Sequence, residues 1–126
     1  MSHYNAILIV DDSPTSGLNI LRCVAMSGIT ADSFIFAENG LDALSAISDN
    51  QAIDLIFSDI NMPKMDGQTF IRLVKSKDET ARIPVVITSS IADGSIENEM
   101  KALGISGIIK KPVSPEKILG VLGGNS

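Results

Sequence analysis

The chain has 126 residues, enough for one domain around one core, and its net charge of −5 without any Lys/Arg stripe argues against a nucleic-acid surface. No apolar run approaches the roughly 20 residues that cross a bilayer. A lone cysteine, Cys23, excludes an internal disulfide and fits a cytoplasmic setting.

The first residues, Met1-Ser2-His3-Tyr4-Asn5, lack the basic and apolar stretches of a signal peptide. Ala6 to Val10 is an uninterrupted apolar run, the pattern of a strand buried on both faces, and it ends in Asp11-Asp12. Ser13-Pro14 then supplies an N-cap and a first-turn proline. Leu18, Leu21 and Ala25 mark one face of the helix that follows, which Gly28 ends. Ser33 to Ala37 reads as a second strand. Asn39-Gly40 turns into a helix with Leu41, Leu44 and Ile47 on its apolar face. Ile53 to Ser58 is a third strand, running into Asp59 and the turn Met62-Pro63-Lys64-Met65-Asp66-Gly67. Gln68 to Lys77 is a helix facing inward through Phe70, Leu73 and Val74. Pro84 to Thr88 is a fourth strand, ending in the hydroxyl cluster Thr88-Ser89-Ser90. Asp93 to Leu103 is a weaker helix stopped by Gly104. Ser106 to Lys110 is the fifth strand, ending at Lys111-Pro112. Ser114-Pro115-Glu116-Lys117 opens a last helix through Leu122, and Gly123-Gly124-Asn125-Ser126 reads as a frayed end.

Five strands alternating with five helices imply right-handed βαβ crossovers, an α/β fold and a parallel sheet. Ligands bind such sheets at the C-terminal ends of the strands. Here those ends carry a carboxylate pair, a carboxylate, a hydroxyl cluster and an ammonium. That set suits a divalent cation and a phosphoryl group. Asp59 could alternatively cap the following helix, and Asp11 could cap the first. Because Ser13 is better placed for that duty, the acidic pair is left without a structural role. The one histidine, His3, falls in the N-terminal tail, so Ser-His-Asp, Cys-His and zinc sites are excluded. No Gly-x-Gly-x-x-Gly or Walker loop occurs.

Asp11-Asp12, Asp59, Met62-Pro63 with Asp66-Gly67, Ser89 and Lys111-Pro112 together resemble the receiver domain of two-component response regulators, and most closely the stand-alone chemotaxis-type regulators. The resemblance covers essentially the whole chain. It implies one receiver domain over residues 1–126, with a flavodoxin-like three-layer (βα)5 sandwich and a sheet of order 2-1-3-4-5. It further implies that Asp59 is the phosphoacceptor and that Mg²⁺ is held by Asp11, Asp12, Asp59 and the backbone carbonyl of Asn61. Ser89 and Lys111 would contact phosphoryl oxygens, and the Lys111–Pro112 bond would be cis. Thr88 competes with Ser89, but Ser89 has the family's spacing from Asp59 and Lys111. The phosphoryl donor would be a histidine kinase or phosphotransfer domain, with a downstream protein as target. No nucleic acid or membrane is expected as a partner, and the protein should be a monomer or weak dimer. The switch would promote its own phosphorylation and autodephosphorylation without acting as an enzyme on others. The target surface would be the helix before the fifth strand, that strand and the last helix, with Glu97, Glu99, Lys101 and Lys117 as contacts.

Two positions depart from the family pattern. Ile108 stands where signalling receivers carry Tyr or Phe, and Ile91 is apolar where polar residues assist the attacking water. The alternatives are a receiver segment of a larger hybrid kinase or regulator, and a flavodoxin-like redox carrier. An Asp-x-Asp phosphatase is excluded because position 61 is Asn.

Overall fold

The computed structural model describes residues 3–90 and 94–122. Its strands are β1 (His3–Val10), β2 (Thr30–Ala37), β3 (Ile53–Ser58), β4 (Val85–Ser89) and β5 (Gly107–Lys110). All pair in parallel, in the order β2-β1-β3-β4-β5. Helices α1 (Pro14–Met26), α2 (Gly40–Asp49), α3 (Gly67–Ser76), α4 (Asp78–Ala81), α5 (Gly94–Ala102) and α6 (Pro115–Leu122) connect or follow them. The expected helix start at Asp93, the Ile91 position and the tail from Gly123 lie outside the described residues.

Alternation along the central strands builds two apolar layers. Leu8, Val10, Ile56, Val85 and Ile87 face α2, α3 and α5 and meet Ala43, Phe70 and Met100. Ile7, Ile9, Leu55, Phe57, Val86 and Ile109 face α1 and α6 and meet Ile20, Val24 and Ile118. Both faces of the sheet are therefore covered, which explains the unbroken apolar run in β1.

Several details differ from the sequence reading. β1 and β2 each begin three residues earlier than expected, at His3 and Thr30, so His3 lies in a strand and not in a tail. The buried face of α1 is Gly17, Ile20, Cys23 and Val24, whereas Leu18 is 47% exposed and Ala25 is also at the surface. Small and β-branched residues let α1 lie close to the sheet: a Cβ on Gly17 would sit 3.4 Å from the Phe36 ring. The leucines flank that contact instead of making it. On α2 and α3, likewise, Leu41 and Leu73 are exposed while Ala43 and Ile71 are buried. Finally, a sixth helix, the single turn α4, follows α3. Its four residues carry no buried side chain, so no apolar period announces it.

Candidate functional site

The residues that follow β1, β3 and β5 are each fixed by one backbone hydrogen bond to a neighbouring strand. Asp11 N–H donates to Ala37 O and Asp59 N–H donates to Val10 O, both at 2.9 Å, and Lys111 N–H donates to Ser89 O at 2.8 Å. These bonds bring Asp11, Asp59 and Lys111 to the same edge of the sheet.

The carboxylates of Asp11, Asp12 and Asp59 each offer an oxygen within 4.8 Å of the others. Asp11 is buried, Asp59 is partly buried and Asp12 is exposed. The Lys111 ammonium lies between the two inner ones, 2.9 Å from Asp11 Oδ2 and 3.0 Å from Asp59 Oδ2. Burial alone would pull its pKa down. The hydrogen bonds and negative charge of Asp11 and Asp59 outweigh burial and hold it above the ordinary lysine value. The Lys111–Pro112 peptide is cis.

Asp11 is more heavily engaged than the sequence suggested, which corrects the view that it has no structural duty. Ser13 caps α1 by accepting from Ser16 N–H, as expected. Asp11 adds to that cap: its Oδ1 accepts from Ser13 N–H at 2.9 Å, and its Oδ2 accepts from Ser16 Oγ at 2.6 Å. The sequence pattern assigns Ser16 no bond to Asp11. The signal was its place in the first turn of α1, which points back toward the strand end.

The loop after Asp59 is equally constrained. Asp59 Oδ1 accepts from Ile60 N–H at 2.7 Å, and Ser58 Oγ donates to Asp59 O at 2.8 Å. Asp66 is the N-cap of α3, accepting from Thr69 N–H, as the sequence implied. Gly67 N–H donates to Ile60 O at 2.7 Å, and a Cβ on Gly67 would stand only 2.0 Å from Asp59 O. Glycine is therefore required there by close approach of the two backbones. Lys64 takes a left-handed backbone conformation with φ of 66° in the same loop.

Ser89 and Asn61 share a pocket of about 200 Å³ with Ile60, Ile87, Ile96, Glu97 and Ile108, next to the Asp59 loop. Ile108 thus borders an open space. Thr88 is fully buried on the neighbouring position. Of the expected partner contacts, Glu99 is engaged by Arg72, whose Nε lies 2.6 Å away, and Lys117 Nζ donates to the carbonyls of Lys110 and Pro112.

The family model described as the response regulator receiver domain matches residues 7–122. The chain belongs to this receiver-domain family. It is 31% identical over 124 residues to chemotaxis protein CheY1 of Helicobacter pylori, covering 94% of this chain and 98% of that protein. It is 32% identical over 117 residues to the sensor histidine kinase CheAY of the same organism, of which it spans only 14%. It spans 11% of the gliding motility regulatory protein of Myxococcus xanthus, at 38% identity over 86 residues. Among solved structures, the chemotaxis response regulator CheY4 of Vibrio cholerae matches with a TM-score of 0.77 and 28% identity, over 94% of this chain and 96% of that one. The fold is shared with CheY in a CheX–CheY–BeF₃–Mg²⁺ complex from Borrelia burgdorferi, at a TM-score of 0.83 and 24% identity, over 96% of this chain and 88% of that one. This receiver domain therefore belongs to two-component signalling and is similar to the chemotaxis regulators. Among the described residues, no helix is long and apolar enough to cross a membrane.

Proposed function

We propose that this chain is a phosphoacceptor switch, forming one receiver domain over residues 1–126, with Asp59 as the acceptor. The observation that carries the reading is the convergence of three carboxylates and one ammonium on a single sheet edge. Carboxylate oxygens of this number, with exposed Asp12 leaving a side open to water, suit a hard cation such as Mg²⁺. Asp11, Asp12 and Asp59 would hold it with the backbone carbonyl of Asn61, and Mg²⁺ bound there would supply charge neutralisation for phosphoryl oxygens.

The donor is a phosphohistidine of a kinase or phosphotransfer domain. Its N–P bond breaks as an oxygen of Asp59 bonds to phosphorus, and the electron pair returns to the imidazole. The Ile60 N–H donor on Oδ1 fixes the carboxylate for in-line attack. Lys111 neutralises one phosphoryl oxygen and Ser89 donates its hydroxyl to another. Hydrolysis follows when water attacks phosphorus, freeing phosphate and regenerating the Asp59 carboxylate. The domain thus promotes its own phosphorylation and dephosphorylation and is not an enzyme toward other substrates. Its output is altered affinity for a protein target, in the cytoplasm, as a monomer or weak dimer. The similarity to a sensor kinase favours a second reading, a receiver segment within a longer protein.

Intact mass spectrometry after incubation with acetyl phosphate and Mg²⁺ tests the reading. A gain of one phosphoryl group is expected. EDTA and Asp59→Asn should each abolish it, and an undiminished gain in Asp59→Asn would overturn the assignment.

A further inference from the structure

Among the described residues, Thr88 Oγ1 is the buried side-chain polar atom without a hydrogen-bond partner. An orphaned buried hydroxyl is costly and calls for an explanation. Its position supplies one. Val10 pairs with Ser58, Ser58 with Ile87, and Thr88 with Ile109. One residue further along, Asp11, Asp59 and Thr88 therefore occupy one row across β1, β3 and β4. Ile9, Phe57 and Val86, each two residues earlier, all face the α1–α6 layer. Alternation turns Asp11, Asp59 and Thr88 to that same side. Lys111 follows β5, yet its ammonium reaches Asp59 and Asp11 on the far side of β4. Its aliphatic stem must pass across the strand that carries Thr88.

We propose that Thr88 is a positioning residue for Lys111, accepting an ammonium N–H through Oγ1 when a divalent cation occupies the carboxylate cluster. This rests on the cation site proposed above. Asp11 Oδ2 already accepts from both Ser16 Oγ and Lys111 Nζ, so both its lone pairs are committed. A cation taking that oxygen releases a Lys111 donor. The released donor needs an acceptor away from the cation, and among the described buried side-chain atoms Thr88 Oγ1 is uncommitted. The hydroxyl is orphaned in the metal-free state because its partner is held elsewhere.

The test compares the parent with Thr88→Val, Thr88→Ser and Asp12→Ala by Mg²⁺ titration calorimetry, thermal melting in EDTA, and the Lys111 ¹⁵Nζ signal. Thr88→Val keeps the shape and removes the orphan, so it should melt higher without metal. It should bind Mg²⁺ about tenfold more weakly, the loss expected for one hydrogen bond to a charged group. Its Mg²⁺-dependent ¹⁵Nζ shift should shrink, and Thr88→Ser should restore affinity and shift. Parent-like Mg²⁺ affinity in Thr88→Val, with binding still lost in Asp12→Ala, overturns the role of Thr88 and leaves the cation site standing. A parent that binds no Mg²⁺ overturns both.

Discussion

The two adjacent aspartates at the end of β1 have opposite structural consequences. Asp12 is exposed and adds negative charge to the cluster without the dense bonding of its neighbour. Removing it relieves like-charge repulsion. Asp12→Ala should raise the melting temperature in EDTA by a few degrees and erase the stabilisation that millimolar Mg²⁺ gives the parent. Asp11 is an acceptor for Ser13, Ser16 and Lys111. Asp11→Ala should therefore cost about 1–3 kcal/mol even without metal, read by urea unfolding, because it leaves three part-buried donors unpaired. The chemical types at the site were legible in the sequence because each charged residue lies within two positions of the end of an apolar run. Hydrogen bonds were not. The Ser16 bond depends on how the first turn of α1 sits over Asp11, and the need for glycine at position 67 depends on a backbone approach from a segment eight positions earlier. Gly67→Ala should cost about 3 kcal/mol through overpacking, measured as a lowered urea midpoint with unchanged slope.

At the scale of elements, the central strands were readable because burial on both faces demands continuous apolar sequence, whereas the edge strand β2 is largely exposed and its first residues, Thr30 to Asp32, carry no such signal. Helix faces were harder to read. In α1 the largest apolar residues are not the deepest ones, since the helix approaches the sheet through Gly17, Ile20 and Val24. The short α4 has no apolar signature and is held from outside: Lys75 Nζ donates to Ala81 O at 2.9 Å and to Ile83 O at 3.0 Å. Burial lowers the pKa of Lys75, but those carbonyls still require a donor. Lys75→Met should cost about 1–3 kcal/mol in urea unfolding and increase hydrogen exchange at the start of β4. The switch itself should act through Ser89 and α5. Ile108 is branched and borders the pocket, so it can repack but cannot swing as an aromatic ring does. NMR with beryllofluoride, a phosphoryl mimic, should show large shifts at residues 88–103 and near 108–112. Shifts confined to the neighbours of Asp59 would mean that phosphorylation does not propagate.

Across the whole molecule, the order of the sheet explains why residues far apart in sequence act together. β1 and β3 are central neighbours, and Lys111 reaches them from the strand at the edge. Its raised pKa means that the folded state favours the charged ammonium. This stabilisation is fully present below the unfolded lysine pKa of about 10.4 and is lost as pH rises through the higher folded value. Unfolding free energy should therefore fall in alkaline solution more steeply for the parent than for Lys111→Met, as urea titrations from neutral to strongly alkaline pH would show. The same ammonium has a consequence for ion selectivity. Because Lys111 already sits between Asp11 and Asp59, the site contains its own tethered univalent competitor. A sodium or potassium ion arriving there would exchange one positive charge for another and gain little. A doubly charged ion gains roughly twice the attraction from the same oxygens. On the proposed reading, the carboxylate cluster would sort ions by valence before it sorts them by size, and potassium should leave it to the lysine.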